Sequence, residues 1–450
     1  MGVGNATRAD VSRLFGRVAF GATAEDLDRW TGQPYDDVVD FLLDVPDPAL
    51  RGPAVDDGQR LFLENITRGA SNGGQNFVES AQLWWLERMR TTPYPVEERM
   101  VLFWHDHFAT AWSPAMPDIG MLLQQNQTLR KHALATFPAM VREITLDPAM
   151  LFWLNGNQNF KGKPNENYAR ELFELFTLGT LPQVYTERDI REAARALTGW
   201  TLDPVLRIPQ FVADAHDTGT KTIFGRTIGD MGADEYREVV DIAIDQPVSR
   251  WFIAYKMVLN FAHVPTTTNV LTTPGALITA VAEALRSGWN IKSAMRALML
   301  HDEFRSPNVA AGNQNVRQPI ELAVGACKAL GVSTDHPDLI ALLQRLRQLP
   351  LAPPNVGGWP TGRNWLSPLT AIARYGVGLF AAQAAISASA NLPAASDIAG
   401  WASRFGLAGF SDNTRTALTS YLSSRPGAPE EELRPGISAL IVSSPEWMVM

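Results

Sequence analysis

The chain has 450 residues, 46% hydrophobic and 19% charged, and a formal net charge of -8. That composition excludes a disordered chain and supplies enough apolar material for one large folded unit or several ordinary ones. The acidic balance excludes phosphate-driven nucleic-acid binding as the main role, and a single cysteine, Cys327, excludes an internal disulfide or a cysteine metal cluster.

Helical periodicity dominates the chain from its start. The opening MGVGNATRADVSRLFGRVAFGAT lacks the basic-then-apolar pattern of a secretory signal. Helices are expected at roughly 8–16, 24–31 and 35–44, then a Gly/Asn-rich loop near Ser71–Gln75. A longer helix from about Phe77 to Arg90 carries the Trp84–Trp85 pair. A proline-bounded break leads into VEERMVLFWHDHFAT, also helical in pattern, with His105, Asp106 and His107 in sequence. A His-x-His pair chelates from a strand, where alternate residues share a face. On a helix the two point about 200° apart. His105 and His107 are therefore metal candidates set against the alternative of histidines flanking an aromatic core.

After helices near Met121–Ala135 and Ala139–Thr145 comes NGNQNFKGKPNENYARELFELFTLG, from Asn155 to Gly179. A polar loop feeds a helix with Asn165 as cap and Glu166 in the first turn, where the helix dipole favours negative charge. Asn167, Glu171 and Glu174 follow i, i+4, i+7 spacing and share a face, and Gly179 is placed to end the helix. Glu171 and Glu174 are the leading acid/base candidates; the alternative is a solvated face with arginine partners. Glu166 and Arg170 form an i, i+4 pair. In YTERDIREAARALTGWT, Thr186 and Asp189 make a capping-box pattern and Gly199 ends the helix.

Proline, glycine and β-branched residues take over between Asp203 and Asp234. Two strands, Phe211–Ala213 and Lys221–Ile228, are expected to pair through a turn at Asp217-Thr218-Gly219. His216 is a catalytic candidate here, Asp217 a metal or turn residue, and Lys221 a holder for an anionic group. Helices resume at 234–244, 249–260, 275–287, 291–300, 317–330 and 336–347. A long loop at 349–368 carries PPNVGGWP and Trp365, with Trp359 as a stacking platform for substrate or a lid on the core. The small-residue helix at 369–390, broken by Gln383 and serines, reads as an internal packing helix and not a membrane span. Helices near 396–404, 411–423 and 429–443 complete the chain. No Gly-x-Ser-x-Gly elbow, P-loop, dinucleotide fingerprint or His-Glu-x-x-His occurs.

Taken together, RLFGRVAFGAT, EERMVLFWHDHFA, LDPAMLFWLNG, PNENYARELFELFTLG, YTERDIREAARALTGWT, HDTGTKTIFG and PPNVGGWPTGRNW resemble the bacterial family called domain of unknown function 1800, over nearly the whole chain. The resemblance implies no settled activity. It implies frequent export of members and a neighbouring sulfatase-like family, domain of unknown function 1501, as a protein partner. Many members carry histidine where this chain has Arg13 and Phe176, which weakens a metal site built on those two positions.

The expected fold is mainly α, with one large multi-helix core and a small β-hairpin insertion around 205–230. The organisation expected is residues 1–204, an insertion at 205–233, and 234–450 packed on the first part. Two functional readings stand. One is a hydrolase or transferase acting on an anionic or glycan-type substrate. It has Glu171, Glu174, His105 and His216 as catalytic groups and Arg170, Lys221, Asn165 and Trp359 on the substrate. The cofactor is left open, with a divalent metal at His105, His107 or Asp217 as one candidate. The other is a non-catalytic assembly protein acting with the sulfatase-like partner.

Overall fold

The computed structural model describes residues 4–46, 75–113, 119–180, 184–266, 272–306 and 314–449. The loop expected near Ser71–Gln75 lies outside them except for Gln75. Helices make up most of the described chain, with two small antiparallel two-stranded sheets. Their starts follow local chemistry. Thr7 with Asp10, Thr23 with Asp26 and Thr186 with Asp189 each close a reciprocal capping box, and each helix begins at the next residue. Proline occupies the first turn of the helices Pro95–His107, Pro319–Leu330, Pro337–Arg345 and Pro368–Ser387, where its missing N–H costs nothing.

One continuous apolar core runs from Ala6 to Trp447. Trp85, Trp104, Trp365, Trp401 and Trp447 are its largest members. The helix Pro368–Ser387 packs along Glu430–Val442. A Cβ on Gly378 would stand 2.5 Å from Ala439 Cα, so only glycine lets the two backbones meet there. That helix has the length and hydropathy to cross a membrane, but half of it is buried and Arg374 on it is wholly enclosed.

The core holds several paired charges. Glu98 accepts from Arg88 Nε (2.6 Å), Arg130 Nε and Nη2 (2.5 and 2.9 Å) and Trp85 Nε1 (3.1 Å). Burial opposes its charge, yet the two guanidiniums outweigh that and hold its carboxyl down to about 2.

The β insertion differs from the single hairpin expected. β1 (Trp200–Leu202) pairs with β2 (Pro209–Phe211), and β3 (Lys221–Ile223) with β4 (Arg226–Ile228). The second hairpin turns at Phe224-Gly225, both at positive φ, the mirror-type turn that matches strand twist. Phenylalanine rarely adopts that conformation, so the turn signal was misplaced onto Asp217–Gly219. Those residues form a loop in which Asp217 Oδ1 accepts from Gly219 N–H (2.9 Å).

Candidate metal centre

The helix Glu187–Ala196 organises a cluster of paired charges. Its last turn presents Arg195, whose fork grips Asp217 (Nε–Oδ2 2.9 Å, Nη2–Oδ1 3.1 Å) while Nη1 reaches Glu192. Gly199, at φ +90°, then turns the chain. A Cβ there would sit 3.0 Å from Val212 O and 3.1 Å from His216 Cβ, so its lack of a side chain admits His216 beneath the helix end. The short 3-10 turn Ala213–Ala215 delivers that histidine, which is 2% exposed.

His216 Nδ1 lies 2.8 Å from Thr198 O, an atom that only accepts, so Nδ1 carries the proton. The Nε2 atom therefore faces Glu235 Oε1 at 3.1 Å. Glu235, wholly buried at the start of the helix Glu235–Ile244, also accepts from Met231 N–H (3.2 Å). Its other oxygen takes Lys221 Nζ (2.6 Å), and Lys221, equally buried, also donates to Asp217 O. A neutral imidazole would set a lone pair against a carboxylate at this point. The arrangement is satisfied by a cation between them: a proton on Nε2 or a metal ion. Asp230, exposed, completes the set, its ligand atom and those of His216 and Glu235 lying within 4.8 Å of one another. Two ligands about 2.1 Å from one tetrahedral ion sit about 3.4 Å apart, close to the 3.1 Å found here. The hydrogen bond from Nδ1 to a backbone carbonyl is the usual outer support of a metal-bound histidine.

Among the described residues this is the one group of three or more His, Cys, Asp or Glu with metal-ligand spacing. The expected ligands lie elsewhere. His105 packs against Trp85 and Trp359 (centroids 5.2 and 5.6 Å), whereas His107 packs against Phe103, Phe176 and Phe252 and donates from Nε2 to Phe176 O (3.0 Å). Helix geometry sends the two to different sides of their helix, so they do not share an ion. Burial pushes both down to about 3, keeping them neutral. Asp217 is engaged by Arg195, which holds its carboxyl down at about 2, and it is a structural tie and not a ligand.

The helix of Glu171 and Glu174 is also not as expected. Asn167–Glu171 is α-helical, but Leu172–Thr177 is a π-turn in which Leu178 N–H bonds Phe173 O (2.9 Å) and Thr177 Oγ1 bonds Leu172 O (2.5 Å). Arg170 is taken by Glu187 through both nitrogens (2.9 and 2.7 Å), by Glu166 (3.2 Å) and by Glu174 (3.6 Å). It is surrounded by carboxylates and does not serve as an anion holder. Lys221 is committed to Glu235 in the same way. Asn165 lies one residue before the N-cap, which is Glu166 and not Asn165 as expected, and its Oδ1 accepts from Asn167 N–H (2.9 Å). Trp359 is 5% exposed, and its backbone N–H donates to Asp106 Oδ1 (2.6 Å), so it closes over the core and offers no stacking face. Glu171 is half-buried and has no ion-pair or hydrogen-bond partner among the described residues. Burial, then the Glu174 charge, raises its pKa. Of the expected catalytic residues, only His216 enters the cluster.

Asp230 and Glu235 escaped notice in the sequence. Their signal is faint: a carboxylate just after a strand and another at the first helical position, five residues on. Only the return of β4 towards His216 joins them.

A family model described as "Protein of unknown function (DUF1800)" matches residues 13–449. No curated protein and no solved structure matches the chain.

Proposed function

The chain belongs to the DUF1800 family, and we propose that it is a metal-assisted hydrolase or transferase centred on His216, Asp230 and Glu235. The observation that carries this reading is the 3.1 Å approach of His216 Nε2 to Glu235 Oε1, with Asp230 beside them. One imidazole and two carboxylates suit Zn²⁺ or Mn²⁺. Three protein ligands leave a position for water, the mark of catalytic and not closed structural sites, and Asp230 gives it contact with solvent. A bound ion would draw the pKa of that water towards neutrality and supply the nucleophile for hydrolysis or transfer. Because the ion takes the place of the Nε2 proton, binding is linked to proton release.

Calorimetric titration of metal-stripped protein with Zn²⁺ and Mn²⁺ tests this. One ion per chain is expected, with affinity falling about 10-fold or more in Asp230→Asn and His216→Gln. Titration in buffers of different ionisation enthalpy should show proton release. Equal affinity in wild type and Asp230→Asn would refute the centre. A screen of ester, phosphoester and glycoside substrates with and without the ion then tests turnover.

The assembly reading keeps one supporting observation. The tip of the first hairpin exposes Val205 (82%), Leu206 (67%) and Ile208 (46%) together, a patch suited to a partner such as the sulfatase-like protein. Loss of co-purification in Val205→Glu/Leu206→Glu would support it. Unchanged recovery would count against it.

A further inference from the structure

A second site lies away from the metal cluster, where the two ends of the chain meet. The first helix, Arg8–Val18, runs beside the segment that leads into Pro319–Leu330, with Arg317 N–H bonding Met448 O (2.8 Å) and Val316 bridging Val449. Between them is a cavity of about 220 Å³. Its inner wall holds the guanidinium of Arg317, a residue only 4% exposed. One face of that group rests on the Trp447 ring at 4.1 Å. Among the described residues its Nε and Nη1, both shut off from solvent, have no hydrogen-bond partner, and no carboxylate forms an ion pair with it. Glu321, which attracts it, pairs with Arg99 (2.7 Å).

The surroundings leave this cation only partly compensated, because the one buried carboxylate, Glu321, is shared with Arg99 and Arg374. Burial is the main cause that lowers its pKa to about 10, still charged at neutral pH; Glu321 pulls the other way, while Arg99 and Arg374 repel it. Glycines give the guanidinium its room: a Cβ on Gly16 would be 3.3 Å from Nη2, and one on Gly325 would be 3.1 Å from Nη1. A buried, unpaired arginine is costly unless something answers its charge.

The other walls define what fits. Phe405, Leu407 and Trp447 are apolar, and Ser12 adds a hydroxyl. Arg13 also lines the space but is committed to Arg305 O (2.7 Å) and to Asp10 (3.7 Å). Glu446 is on the rim, with both oxygens held by Ser411 N–H and Thr414 Oγ1 (2.8 Å each). One free guanidinium beside a carboxylate suits a single negative charge and disfavours a dianion. A carboxylate oxygen in the cavity can accept a charge-assisted hydrogen bond from Nη2, the guanidinium nitrogen not shut off from solvent. The volume is below that of a drug-sized site, so the ligand is small.

We propose that this cavity binds a small organic carboxylate, its anionic end on Arg317 and its short carbon chain against Phe405, Leu407 and Trp447. The site is independent of the metal centre. The test is calorimetric titration of the full chain at low ionic strength with butyrate, butyramide and inorganic phosphate. Butyrate is expected to bind about 10-fold or more tightly than butyramide, and phosphate more weakly than butyrate. Arg317→Met should abolish butyrate binding. Since that change is buried and can impair folding, Ser12→Leu serves as the second variant, filling the cavity from a half-exposed position with no hydrogen bond to lose. It should remove butyrate binding while leaving the melting temperature and Zn²⁺ affinity unchanged. Equal binding of butyrate and butyramide, tighter binding of phosphate, or full butyrate affinity in folded Ser12→Leu would each overturn the proposal.

Discussion

Replacing Lys221 with methionine separates the charge network of the candidate metal cluster from its packing. Methionine keeps the length and apolar stem but removes the ammonium held 2.6 Å from Glu235 Oε2 in a fully buried setting. Breaking one side of such a pair costs about 3–5 kcal/mol, because the remaining carboxylate is stranded. The unfolding entropy of about 2.1 cal/mol/K per residue gives about 0.9 kcal/mol/K for 450 residues. The expected fall in melting temperature is therefore about 3–5 °C by scanning calorimetry. The metal account adds a second expectation. Without the competing ammonium, Glu235 should hold a divalent ion more tightly than in wild type. Zn²⁺ at about 100 times its dissociation constant should restore about 2.7 kcal/mol, or about 3 °C. A Lys221→Met protein melting within about 1 °C of wild type, or one that gains nothing from the ion, would refute the reasoning.

Two further outcomes follow from the core. Glu98 titrates at about 2 when folded against 4.5 when free, so its contribution is fully present above pH 4.5 and is lost as pH falls towards 2. The loss amounts to about 3 kcal/mol, and Glu98→Gln should flatten that part of an acid-unfolding curve while lowering stability at pH 7; an unchanged slope would contradict the pairing with Arg88 and Arg130. Gly358 sits at φ +82°, and a Cβ there would overlap Asp106 Oδ1 and its backbone oxygen. Gly358→Ala should cost at least about 2 kcal/mol and loosen the loop that bonds Trp359 to Asp106, read as faster amide exchange at Trp359; wild-type exchange would count against it.

The helical fold was legible because its signals are local. Apolar periodicity, threonine–aspartate boxes and first-turn prolines act within a few residues, and they put the main helices within a few residues of their observed ends. The short helices Pro148–Trp153, Asp302–Arg305 and Pro445–Met448 were missed because four to six residues carry too little periodicity to register. The π-turn at Leu172–Thr177 was hidden for a related reason: its widened hydrogen bonding follows from packing, while the sequence spacing reads as ordinary helix.

The site was less visible because its meaning depends on distance in space. His216 stood out as a histidine without an obvious turn role, but Glu235 lies 19 residues on. Nothing local shows that Lys221 is buried beside it. Arg170 and Arg317 illustrate the same limit in opposite directions. Arg170 reads as available for a ligand and is consumed by Glu187, Glu166 and Glu174, whereas Arg317 carries no local signal and is buried with no ion-pair partner among the described residues. Counting charges along the chain does not reveal which of them fold next to an answering charge.

The most direct measurement of the central claim is anomalous diffraction from crystals grown with Zn²⁺, recorded on both sides of the zinc edge. The account predicts one strong peak per chain, about 2.0–2.2 Å from His216 Nε2, Glu235 Oε1 and an Asp230 oxygen, with His216 Nδ1 still bonded to Thr198 O. A peak at any other cluster, or His216 and Glu235 keeping their direct 3.1 Å contact with no ion between them and Asp230, would contradict it.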